Sequence, residues 1–193
     1  MAEKTVGELR AGANAVLADV ELQEVFLARS NLASRPRQES DATLSVGFSA
    51  QTRFDLRSDG DLHVWLKYLV FALPPSEAEK VSSAESEIDE EQMLERSAWS
   101  IESEWVAKYS GDADTLSEHT HAELNAFAIV MGPPTVHPYA RDLVQSLTGR
   151  SEHAAFTLGL LTPVSAMPDD AVIDIGDSDE SLLEDPPQRN GSS

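Results

Sequence analysis

The sequence contains no cysteine. That excludes disulfides, thiolate nucleophiles and cysteine-ligated zinc together. Basic side chains are scarce, 14 Lys and Arg against 34 Asp and Glu, for a formal charge of −20. A field of that sign repels nucleic acids and anionic membrane surfaces, so neither is expected as a partner. No apolar run reaches the length of a membrane span, and the N-terminus lacks the basic-then-apolar pattern of a signal peptide. The expectation is a cytoplasmic protein without membrane insertion. A glycine-rich phosphate loop and a serine-centred nucleophile motif are missing too. Nothing calls for a cofactor or a metal, and the chain reads as a non-enzyme with no catalytic residues.

What is present is one domain's length of chain, 193 residues, enough to bury a real core. The charge is concentrated. Residues 75–95 hold eight acids and one lysine, and residues 169–193 hold eight acids and one arginine. Both read as solvated and disordered. The domain is therefore expected over 1–167, with 75–95 as an insertion and 168–193 as a tail.

The stretch Gly132-Pro133-Pro134-Thr135-Val136-His137-Pro138-Tyr139-Ala140-Arg141 is the best-marked part of the chain. Gly132 suits a helix end, and the prolines forbid continuation. Pro138 suits a first helical position, and Gly149 a stop. The spacing predicts one helix over 116–131, opened by Thr115 and Glu118 as a capping box. A corner and a second helix over 138–148 follow. A shorter amphipathic helix is expected over 4–17, from Val6, Leu9, Ala13, Val16 and Leu17.

Between these lie four strands. The first, about 19–29, changes phase near Glu24, which implies a bulge or a strand covered on both sides. Residues 30–41 then read as a crossover loop. The second strand, about 42–57, alternates without a fault: Leu44, Val46, Phe48, Ala50, Thr52, Phe54 and Leu56 share one face. Ser58-Asp59-Gly60-Asp61 is a hairpin turn. The third, about 62–73, and the fourth, about 96–109, complete the set. Phe156, Leu158 and Leu160 alternate in a short extended piece. Strands first and helices after define an α+β fold: a four-stranded antiparallel sheet, two long C-terminal helices on one face, and a short N-terminal helix.

One polar cluster was weighed for chemistry. Glu118, His119, His121 and Glu123 lie together at a helix start. A metal site needs a further ligand and an apolar pocket, so a solvated first turn is the simpler reading. The stronger anomaly is excess apolar surface. The first and third strands are apolar on both faces, with Trp65, Leu69 and Phe71 on the second face of the third. Something must cover them: another subunit, or unfolded chains held in an open groove.

Pro138-Tyr139-Ala140-Arg141, Leu147-Thr148-Gly149-Arg150 and the piece from Leu158 to Val164 resemble motifs of the bacterial SecB export chaperones, in the same element order from about 18 to 164. His137, the Ser165-Ala166-Met167-Pro168 segment and the acidic insertion are more like the SecB-like chaperones of actinobacteria and phages, some associated with toxin–antitoxin systems. The resemblance implies a homotetramer, a dimer of dimers. It implies an ATP-independent holdase for unfolded polypeptide, either pre-secretory proteins or an antitoxin tail. The export motor SecA is a further implied partner, against which the departures weigh. Carried over as regions, the family's groove falls on Phe26, Leu27, Leu32, Phe48, Trp65, Leu143 and Leu147. The alternatives are an oligomeric module with the same fold and no client, and an enzyme built on His119 and His121.

Overall fold

The computed structural model of the chain describes residues 2–38, 43–83 and 90–175. In chain order the elements are β1 (Ala2–Thr5), α1 (Val6–Leu17), β2 (Val20–Ser34), β3 (Ser45–Leu56), β4 (Asp61–Leu73), α2 (Pro75–Ser83), α3 (Glu90–Arg96), β5 (Trp99–Gly111), α4 (Ala113–Glu118), α5 (His121–Thr148) and β6 (Val172–Ile175). The four long strands form one antiparallel sheet, ordered β2-β5-β4-β3. The class is α+β, as the order of periodicities implies.

The turn at Ser58-Asp59-Gly60 joins β3 to β4, with Gly60 at φ +85°, where an L side chain would be strained. The phase change in β2 is real. The register to β5 slips between Leu22 and Glu24 and again between Leu27 and Arg29. Each slip is a one-residue bulge, and β2 continues to Ser34 where a loop was expected.

Leu62, Val64, Leu66 and Tyr68 of β4 and Trp105, Ala107 and Tyr109 of β5 carry the main core under α5. A second cluster lies toward the other end, around Val70, Ala72, Trp99, Ile101, Val144 and Leu158. α1 packs on α5, and its buried residues are Val6, Leu9, Ala13 and Val16, as the apolar spacing implies.

The two expected C-terminal helices are one. α5 runs 28 residues without a break, through Pro133, Pro134 and Pro138. Gly132 is helical, not a left-handed stop, and serves a different need. A methyl group on it would lie 2.9 Å from Val64 Cγ1 and 3.2 Å from Leu66 Cδ1, so the helix meets the sheet backbone-close at this point. Each interior proline lacks an N–H and costs about 3 kcal/mol in an isolated helix. The buried stripe on both sides offsets this: Leu124, Phe127, Ala128 and Val130 before, Val136, Ala140 and Val144 after. The Thr135 hydroxyl donates to the Met131 carbonyl (2.7 Å) within the same turn. The capping box sits at Thr120 and Glu123, not Thr115 and Glu118; Thr115 N–H instead donates to Asp112, the cap of α4.

Two acidic stretches also differ from expectation. α2 and α3 occupy most of 75–95. Pro75 starts α2, where its missing N–H is harmless. Glu77 draws Lys80 and Arg96 (2.6 and 3.8 Å), and the Ser97 hydroxyl donates to the Met93 carbonyl at 2.6 Å. Residues 84–89 lie outside the described residues. Nor does the fold end at 167. The Arg10 guanidinium donates to the Asp169 carboxylate and to the carbonyls of Val164, Ser165 and Met167. That clamp delivers β6 to β1, which pair antiparallel. The remainder of the acidic tail, 176–193, is outside the described residues.

The contact at Gly132 makes a direct prediction. Gly132→Val should lower the stability of the fold by about 2 kcal/mol, in spite of the better helix propensity, because overpacking of this size costs about 1–3 kcal/mol. Denaturant unfolding measures it, and an unchanged midpoint would mean that the helix can lift off β4 freely.

Candidate functional site

The site worth building is apolar surface left uncovered beside α5. The helix begins next to β3, where His121 meets Phe54 (ring centroids 4.9 Å apart). It passes over β4 at Gly132. By Tyr139 it has reached β5, with the Tyr139 and Trp105 rings 6.2 Å apart. One helix crossing a four-stranded sheet leaves both edge strands partly bare. On the β2 side the bare residues on the helix-covered face are Leu22 (45% exposed) and Leu27, beside Tyr139 (50%). Leu27 pairs with Trp105, the partner of the Tyr139 ring, and Leu22 pairs with Tyr109 further along the same face. On the β3 side the bare residue is Phe48, 54% exposed, paired with Val70.

Register divides the seven expected groove residues between the two faces. Leu27, Leu32 and Phe48 lie on the face that α5 covers, since their partners Trp105, Ile101 and Val70 belong to the two core clusters. Leu143 and Leu147 come from α5 itself and pack against those clusters. Phe26 and Trp65 do not join them. Both pair with Val106, so they form a stripe across the opposite face. There the Arg53 guanidinium stands 4.5 Å from the Trp65 ring and also bonds Glu104 at 3.1 Å. α2 and α3 pack against β4, and Leu69, Leu73 and Ser100 on this face are buried. The Phe26–Val106–Trp65 stripe lies among paired charges, including Lys67 with Glu102 and Lys108 with Asp61. The Asp61 carboxylate raises the pKa of the Lys108 ammonium.

Sequence reasoning missed Leu22 and Tyr139. Leu22 was visible as an apolar residue just before the bulge. Tyr139 falls at the helical spacing of Leu143, Val144 and Leu147, which does not by itself distinguish rim from core. Once the helices are joined, it points to the rim.

The polar candidates are tied into the scaffold. His119 Nε2 is 2.9 Å from Asp19 Oδ2 and its Nδ1 is 3.8 Å from Glu123. It links the start of α5 to the turn before β2. Glu123 accepts from the backbone and hydroxyl of Thr120, chiefly for which its carboxyl is held below the usual range. Among the described residues no three His, Asp or Glu side chains form a metal-holding group. His137 is buried, with Nε2 2.8 Å from the Gly159 carbonyl and its ring against Tyr68. Burial pushes the Tyr68 hydroxyl up to about 12. Among the described residues, neither that hydroxyl nor His137 Nδ1 meets a hydrogen-bond partner. Among the described residues, no helix is long and apolar enough to cross a membrane.

The chain has the SecB-like fold. It superposes on the SecB-like chaperone of Mycobacterium tuberculosis, whose structure holds a ChAD peptide from the HigA1 antitoxin. The TM-score is 0.62 over 79% of this chain and 97% of that one, at 17% identity. A protein of unknown function from Streptococcus agalactiae gives a TM-score of 0.35 at 10% identity, over 74% and 98% of the two chains. No family model and no curated protein matches the sequence. The likeness is one of fold, and it agrees with the resemblance read from the residues.

If the rim beside α5 is the principal bare apolar surface, replacing Leu22 and Tyr139 with serine should cut the fluorescence of a bound apolar dye. Stability should move by only about 0.5 kcal/mol per site, as for exposed positions generally. Unchanged dye binding with the fold intact would place the main apolar patch elsewhere.

Proposed function

We propose that this chain is an ATP-independent holdase that binds an extended, aggregation-prone polypeptide segment along the apolar rim beside α5. The observation that carries the reading is that Leu27 and Tyr139 are bare beside a buried Trp105, with Leu22 bare further along the same face of β2, which the helix only partly covers. A soluble chain that leaves aromatic and aliphatic groups bare on one face has a use for them. The fold neighbour bound to an antitoxin peptide supports the same reading. Of the client classes implied by the sequence, an antitoxin tail is favoured over a pre-secretory protein, and no role is assigned to SecA.

The seven residues first named for the groove separate under this reading. Leu27, Leu32, Phe48, Leu143 and Leu147 remain client-side. Phe26 and Trp65, on the other face, belong to contact between subunits of a homotetramer arranged as a dimer of dimers. Such a tetramer would multiply weak contacts along one bound chain.

Two measurements test this. Light scattering of a chemically unfolded model protein, with and without this chain, should show aggregation suppressed. The chain's own mass in solution should be that of a tetramer. A well-folded oligomer that leaves scattering unchanged would favour a structural module without unfolded clients. Within a suppressing protein, Leu27→Asp should weaken client affinity about tenfold, equivalent to about 1.4 kcal/mol, and leave the mass unchanged. Trp65→Ala should do the reverse, loosening the assembly with little change in affinity per subunit. The opposite pattern would exchange the roles of the two faces.

A further inference from the structure

We propose that residues 154–163 are a strap, a built-in occupant of the trough between α5 and the central strands β4 and β5, which an extended client segment displaces. The inference rests on the client-binding reading and specifies what a client must look like and what it must move.

The strap has the form of a client. Its apolar residues fall two apart at Phe156, Leu158 and Leu160, the alternation of an extended chain. Phe156 lies against Trp99, with ring centroids 6.0 Å apart. Leu158 is buried in the cluster that includes Val70, Ile101 and Val144. Leu160 is left 87% exposed. The strap nevertheless belongs to no strand or helix. Its hold depends on side chains at two points. The Thr148 hydroxyl oxygen accepts from Phe156 N–H at 2.9 Å, and its proton faces the carbonyls of Val144 (2.7 Å) and Phe156 (3.1 Å). The His137 ring meets the Gly159 carbonyl at 2.8 Å.

Releasing such a segment breaks no sheet ladder. A client with two apolar side chains two residues apart, and a carbonyl on the residue after the second, would restore what is lost: two filled pockets and one acceptor for His137. Phe48, bare on the strand next to Val70, extends the trough beyond the strap.

The probe is a fluorescein-labelled peptide with the strap's own sequence, residues 154–163, added to the full chain. A control peptide carries serine at the positions of Phe156 and Leu158. Leu158→Ser in the chain loosens the strap and leaves the trough intact, so it should bind the strap peptide about tenfold more tightly than the parent, with the control peptide unbound. Equal affinity for the two proteins, or none for either, would overturn the strap. A second readout does not depend on that variant. Because the chain has no cysteine, Leu158→Cys gives a unique buried thiol. Saturating peptide should speed its reaction with a maleimide about tenfold, and an unchanged or slower rate would overturn displacement. The two readings fail separately. Peptide binding with thiol exposure, but no suppression of aggregation, would sustain the strap and remove the holdase. Suppression with an unresponsive thiol would do the reverse.

Discussion

Gly132 has no side chain, and α5 comes down onto β4 where it stands. With Val64 Cγ1 and Leu66 Cδ1 at 2.9 and 3.2 Å from where a Cβ would be, a larger residue would lift the helix off the sheet. That close approach fixes the helix's height at one point. The buried residues on either side then set its direction, from His121 beside Phe54 to Tyr139 beside Trp105. Because the helix crosses the sheet obliquely, both edge strands keep bare apolar residues on the same face. The rim and the trough are thus consequences of how one helix is seated.

That seating also explains what could be read in the sequence and what could not. Strand alternation was legible because it is local: each residue's face follows from its neighbours, and even the β2 bulge showed as a phase change near Glu24. The helical hairpin was misread for the same reason. Glycine followed by two prolines is a stop by local propensity, and a tertiary contact overrides it. Gly132 is small for packing against the sheet, not for turning the chain. The buried face that holds α5 down is distributed over residues from Leu124 to Val144, a span no short window captures.

Composition alone does not show which parts of the acidic stretches are anchored. Charge density predicts solvation on average, but single contacts can anchor such a segment. Arg10 gathers one carboxylate and three backbone carbonyls, which brings β6 to β1. Glu77 does the same on a smaller scale for α2 and α3. For the candidate site, residue type was legible and face was not. Phe26 and Leu27 are adjacent in sequence, so they must point to opposite sides of a strand. Only the register through Val106 and Trp105 shows which of them faces α5.

A strongly acidic chain that exposes apolar groups has its own physical logic. At −20, copies repel one another at long range, which limits self-association through bare patches. Under the proposed function, the apolar rim serves chains that approach closely enough for burial to outweigh repulsion, and a neutral or basic extended segment does so more readily than an acidic one. The proposed strap would supply the complementary restraint at short range. It places the protein's own Phe156 and Leu158 at Trp99 and around Val144. A client must then match that pattern to enter, because each pocket it vacates must be refilled. Weak, exchangeable occupancy by a segment of the same chain thus turns a generally sticky trough into one that selects for alternating apolar sequence.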